Sequence, residues 1–342
     1  MSSATCLPTS TPVTKTEVVV APSHRALIDV ARLAAAYGII WLHTPRFDAL
    51  GASRSIGRFA VPFFVFSTVF FVFEGLARRP ERTFGQYARL RFVRIYLPFL
   101  AWSVIYLGFK LVKGFLLPEQ PNDYPGLEIL WTGGFYHLWF LPFILVVSLL
   151  AFVTAKATAG RGRAELAVAT AAAVAGIVLA VTPTPGFVLR AGTFAGCVTN
   201  TLPAVCWALA LGIAVRHPAT RVLERPAATI AGLLLVVAST AWVWRFGGAK
   251  LPETLAGLGV MVVALGPARM AWIGRLARLG PLAYGIYLAH MLFIKVLEAV
   301  AVKLDAPVTW QQDVTVFLIA AAASTLLARA LSRRAATRWL VA

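Results

Sequence analysis

A chain of 342 residues that is 59% hydrophobic and 13% charged, with a mean hydropathy of +0.77, does not read as a soluble globule, in which about 25% of residues carry charge. The net charge of +18 suggests nucleic acid at first sight. The basic residues fall between long apolar runs, however, and membrane topology explains that arrangement without a nucleic-acid partner.

Residues 1–24 are rich in Ser, Thr and Pro, and Val18-Val19-Val20-Ala21 is too brief for a signal-peptide core, so they read as a disordered cytoplasmic tail. Ten apolar runs of roughly 18 to 24 residues follow, each long enough to cross a ~30 Å hydrocarbon layer as a helix. They cover 25–43, 57–76, 92–112, 136–156, 164–183, 191–215, 226–245, 252–271, 281–302 and 313–332. Thr182-Pro183-Thr184-Pro185-Gly186 marks a turn, and Pro203 interrupts the sixth run. With the N-terminus inside, roughly two-thirds of the 32 lysines and arginines fall in cytoplasmic segments. Asp48, Glu119, Asp123, Glu128, Glu253, Glu298, Asp305 and Asp313 fall outside. The expectation is an all-α polytopic integral membrane protein of about ten transmembrane helices with both termini cytoplasmic. Its domain spans 25–332, and residues 333–342 form a short basic tail.

The first run carries Arg32 and His43. Eleven steps of ~100° return to within ~20° of the start, so both side chains share one helix face, ~16 Å apart along the axis. Ala35, Ala36 and Ile39 lie between them, which predicts a slot with a cation at one end and an imidazole at the other. Ionisable groups inside a span are costly and mark functional candidates. After the second run, RRPERTFGQYARLRFVR (78–94) brings Arg91 and Arg94 to the start of the third, where paired guanidinium groups suit a phosphorylated ligand. An ordinary basic loop touching anionic lipid is the competing account.

VPFFVFS (61–67) reads as packing. YHLWFLP (136–142) places His137 and Trp139 near the outer interface, where Tyr136 and Trp139 also suit an aromatic belt. The outer loop 113–135 carries Glu119, Asp123, Tyr124, Glu128 and Trp131, which suit sugar binding as well as the expected topology. GPLAYGIYLAH (280–290) sets Tyr284, Tyr287 and His290 on one stripe, as part of a site or of an interhelical hydrogen-bond network. His24 and His217 flank cytoplasmic ends. Cys197 and Cys206 are ~13 Å apart on one helix, and Cys6 is in the tail, so no disulfide is expected. There is no metal-ligand spacing, phosphate-cradling loop or nucleophile elbow.

Together and in this order, Arg32-x10-His43, FFVFS, Arg91-x-x-Arg94, HLWFLP and YGIYLAH resemble the acyltransferase 3 family of bacterial membrane acyltransferases, from Ala26 to about Leu331. The resemblance implies a multi-pass protein of the cell inner membrane. It would move an acyl group, usually acetyl, from cytosolic acyl-coenzyme A to a hydroxyl of an envelope or exported glycan, such as an exopolysaccharide, O-antigen or lipid-linked saccharide. Acetyl-CoA would be the co-substrate, with no metal. His43 matches the family's essential histidine and Arg32 its partner arginine, while Arg91 and Arg94 match the motif associated with coenzyme A. Asp29 occupies the acidic position before Arg32. The chain departs from the pattern at Thr68, where glycine is common, and at Ala283, where serine is frequent.

For such a transfer His43 suits a general base, since imidazole titrates near neutrality. Arg32, Tyr287 and His290 are candidates to stabilise the oxyanion, with His137 and Trp139 in supporting roles, and an acyl-histidine route stays open. The competing class is a transporter or channel with Arg32, His43 and His290 along its path, although no internal repeat relates the two halves.

Overall fold

Each long apolar run has folded into a helix, and no strand occurs among the described residues. The structure is a computed structural model describing residues 25–47, 50, 52–119, 124–183, 193–267 and 271–341. The expected tail 1–24, Asp48, Asp123 and residues 184–186 of the predicted turn lie outside that set. The principal helices are α1 (Arg25–His43), α2 (Ala60–Arg78), α3 (Phe84–Leu116), α4 (Phe140–Thr158) and α5 (Gly162–Val181). They continue as α6 (Phe194–Ala214), α7 (Pro226–Phe246), α8 (Lys250–Ala264), α9 (Ala283–Lys303) and α10 (Trp310–Arg333).

Among the described residues nine of these helices are long and apolar enough to cross a membrane, and α8 is the exception. The span predicted at 252–271 is a 15-residue helix, roughly 22 Å long. It stops at Leu265 because Gly266-Pro267 follows, and the residue before a proline is pushed out of helical conformation. The α7–α8 pair is held by direct backbone approach. A Cβ on Gly232 would lie 2.8 Å from the Gly259 carbonyl, and one on Gly259 would lie 2.7 Å from that of Gly232.

The helices sort into a packed interior and an outer ring. In α2 and α4, 56% of the most apolar window is buried, against 17% in α5, α7 and α10. Leu166, Val237 and Leu326 on those outer helices are exposed, an apolar surface that only lipid covers favourably. Helix α1 lies in the interior against α2, α8, α9 and α10. The aromatic run on α2 is packing, as expected, with Phe63, Phe66 and Ser67 buried.

Three local features shape the site. Thr83 opens α3 with a reciprocal cap, its hydroxyl accepting from the Gln86 amide and the Gln86 side chain accepting from the Thr83 amide. A little over two turns on, Phe92–Tyr96 is a π turn, with the Leu97 amide reaching back five residues to Phe92. The wider turn makes room for the Pro98 ring, which would crowd a regular α turn. Finally, residues beyond α10 fold back as the short helix Ala335–Arg338. Val341 is 3% exposed, and Trp102 donates to the Leu340 carbonyl at 3.1 Å, so the expected basic tail is part of the bundle. Pro203 sits inside an unbroken α6, contrary to the expected interruption.

Candidate active site

The α1 N-terminus defines a near end of the bundle and His43 a far end. A cavity of about 690 Å³ opens at the far end, lined by His43, Arg46 and Arg54, by Lys110 and Lys113 of α3, and by Lys295 and Glu298 of α9. Phe135 and Tyr136, just before α4, complete its wall. His43 is at its floor. Val302, at the rim, lies twelve residues beyond His290 on the same helix, ~18 Å along the axis, so the imidazole is recessed rather than at the surface.

Beneath the cavity is a layer of stacked rings. His43 packs on His290 with centroids 5.7 Å apart and planes 23° from parallel, and His290 meets His137 edge-on at 5.0 Å. Tyr136 Oη lies 3.1 Å from His43 Nδ1 and 3.7 Å from Met291 Sδ. The Tyr287 hydroxyl donates to the His137 carbonyl. His290 Nδ1 is 2.6 Å from the Tyr287 carbonyl; a carbonyl only accepts, so Nδ1 carries the proton and the neutral ring's Nε2 bears a lone pair. That Nε2 is buried with no hydrogen-bond partner among the described residues. Tyr106 braces α9 from α3, donating to Leu288 at 2.7 Å and accepting from the Leu292 amide at 3.2 Å.

On the other side of this layer a second cavity, about 970 Å³, opens at the near end. Arg32, Arg78, Arg91, Arg94 and Arg338 line it with Asp29 and Glu74. Its deeper wall is apolar, formed by Phe64, Phe71, Phe140 and Ile144, and it reaches Tyr287. Arg32 pairs with Asp29, one turn before it, at 3.4 Å. Gly280 lets the chain before α9 approach this pair, since a Cβ there would lie 2.5 Å from that of Asp29. Arg91 donates through Nε to the Tyr87 hydroxyl at 2.7 Å and lies over its ring, which fixes the guanidinium at the mouth. Arg78 is held by Glu74 one turn away.

The predicted residues therefore divide between two cavities. Arg32, Asp29, Arg91 and Arg94 gather at the near one, His43 at the far one, and His137, Tyr287 and His290 between them. The expected slot along α1 is closed, because Ala35, Ala36 and Ile39 are buried in helix packing and line neither cavity. The near cavity runs instead between α2, α4 and α9. Trp139 does not reach the site; it packs on Phe140 and Phe143 with centroids 5.8 and 5.5 Å away. Tyr136, assigned to an aromatic belt by its position, touches His43 instead. Glu128 does not line the far cavity: its carboxylate accepts from the Gly126 amide at 2.8 Å, which holds it below the usual carboxylate range. Neither Glu119 nor Trp131 lines it. Thr68 and Ala283, where the chain departs from the family pattern, both line the near cavity.

Three residue sets were not legible as site residues: Tyr136, the lysines of α3 and α9, and Arg338. Position on a helix face hints at Lys110 and Lys113, but the fold-back that delivers Arg338 has no sequence signature.

Among the described residues no group of three or more His, Cys, Asp or Glu is placed to hold a metal ion. No curated protein and no solved structure matches the chain. Residues 25–333, nearly all of the described helices, match the acyltransferase domain family. With nine membrane-length helices among the described residues and a match of that extent, the chain is a multi-pass membrane protein that belongs to the acyltransferase 3 family.

Proposed function

We propose that this protein moves an acyl group, acetyl in the usual case, from cytosolic acyl-CoA in the near cavity to a hydroxyl of an envelope or exported glycan in the far cavity. The near end, with both termini, faces the cytoplasm. One observation carries the reading: a single layer of rings separates a cavity lined by five arginines from one floored by His43. Arg91 and Arg94, supported by Arg32, bind the donor's phosphates, and the apolar wall of Phe64, Phe71 and Ile144 takes its pantetheine arm toward Tyr287.

His43 acts as the general base. In the tautomer this role requires, Nδ1–H donates to the Tyr136 oxygen 3.1 Å away, which leaves the Nε2 lone pair for the incoming hydroxyl. The acceptor oxygen attacks the thioester carbonyl carbon while Nε2 takes its proton. The tetrahedral intermediate expels the coenzyme thiolate, which recovers that proton from the imidazolium, giving an O-acyl ester and free thiol. For the oxyanion, Tyr287 would have to turn its hydroxyl away from the His137 carbonyl, and His290 would have to be protonated at Nε2.

The test is a deletion strain complemented with His43→Ala. Ester-linked acyl groups on envelope glycans, measured by mass spectrometry and proton NMR, should vanish while the variant still accumulates in the membrane. Parental ester content in that strain would remove His43 as the base.

A further inference from the structure

Beyond α10 the chain turns back and forms part of the near cavity. Ala335, Arg338 and Trp339 all line it, and their i, i+3, i+4 spacing puts them on one face of a helical turn. The residues after them hold that face in place. Trp102 donates to the Leu340 carbonyl, and Val341 packs where Gly285 of α9 leaves room, since a Cβ on Gly285 would lie 2.9 Å from that of Val341. Thr337 closes the fold-back by donating to the Leu331 carbonyl at 2.9 Å. Residues 335–341 lie beyond the stretch matched to the family, so family membership does not account for this arrangement.

The depth of the cavity and its mouth differ in chemistry. Along α2 the lining runs from Arg78 through Phe71 to Phe64, ~21 Å of helix, which gives a pantetheine arm an apolar path inward. The donor's nucleotide then stays at the mouth. Arginines there answer its phosphates, but a purine needs a flat apolar partner. Of the aromatic rings lining the cavity among the described residues, Trp339 alone is exposed, at 46%, and Arg338 directly precedes it. A tryptophan at a membrane edge also suits the interfacial belt, and that account gives it no preference for one soluble ligand over another.

We infer that Trp339 and Arg338 seat the donor's adenosine, the indole stacking on the adenine while the guanidinium pairs with the phosphate on the ribose. This rests on the reading of the near cavity as the donor site. The consequence is selectivity for the whole coenzyme over a donor that ends at phosphopantetheine.

The experiment titrates the purified protein by calorimetry with coenzyme A and with its two halves, phosphopantetheine and adenosine bisphosphate. Adenosine bisphosphate should bind the parent protein and compete with coenzyme A. Trp339→Leu keeps apolar bulk and removes the π-face, and it should raise the Kd of coenzyme A and of adenosine bisphosphate about tenfold, with that of phosphopantetheine within twofold of the parent's. Trp339→Phe restores a ring and should bring both raised constants to within about threefold of the parent's. Equal affinities in the leucine, phenylalanine and parent proteins, or an equal loss for both halves, would overturn the inference. So would a parent protein that binds coenzyme A but not adenosine bisphosphate, whatever the variants do, and the donor reading would then stand. A parent protein that binds neither coenzyme A nor either half would overturn both.

Discussion

The two cavities are both basic, but they hold their charge differently. At the near end the arginines ring a mouth, and behind them the wall turns apolar as far as Tyr287. At the far end the cations surround the floor residue His43 itself, and the apolar lining is confined to residues such as Leu42, Phe109 and Val302. The first arrangement suits a ligand with a charged head and a long reactive arm. The second sets its cations around the imidazole itself and offers no apolar length for an arm. The depth of the apolar wall, rather than net charge, is what distinguishes the two cavities.

The sharpest way to break this comparison is His43→Ala, which should lower acyl transfer about 10² to 10⁴-fold in reconstituted vesicles, read as thiol release from acetyl-CoA. Next is the Arg91→Ala, Arg94→Ala pair. Loss of charge-assisted bonds should raise the donor KM about 10 to 100-fold and leave the acceptor KM within twofold, and an acceptor effect instead would reverse the assignment of the cavities. Tyr136→Phe keeps the ring's edge-on packing against His43 and removes only the hydroxyl that meets Nδ1. It should lower kcat about fivefold with the donor KM unchanged, as one neutral hydrogen bond warrants. Smallest is Arg338→Ala, expected to raise the donor KM about threefold through one exposed cation, with normal thermal stability of the detergent-solubilised protein.

Much of the fold was legible because a membrane imposes length and polarity on each span. The boundaries of α1 and α7 follow from apolar run and flanking charge alone. The eighth span was overextended because hydropathy continues past Gly266-Pro267 although the helix cannot. In the site, Arg32, Asp29 and His43 stood out because charge within an apolar run is rare, and helix periodicity correctly aligned Tyr284, Tyr287 and His290. Periodicity describes one helix at a time, however. It reported that Ala35, Ala36 and Ile39 share a face with Arg32 and His43, and could not report that neighbouring helices fill that face. Tyr136 and Arg338 owe their places to contacts across 93 residues of sequence and to a fold-back beyond α10, which no local pattern encodes.

Helix α3 touches both cavities, with Arg91 and Arg94 at one and Phe109, Lys110 and Lys113 at the other. Its π turn begins right after Arg91, holds Arg94, and precedes the far-cavity residues. Each residue of an α-helix advances the azimuth by ~100°, so the extra residue in that turn sets the phase between the two ends of one continuous rod. Deleting Val93 would remove no group that either ligand contacts through charge. It would rotate Arg94, Lys110 and Lys113 by about that angle relative to Arg91, so the arginine pair of one cavity and the lysines of the other would both lose their phase with Arg91.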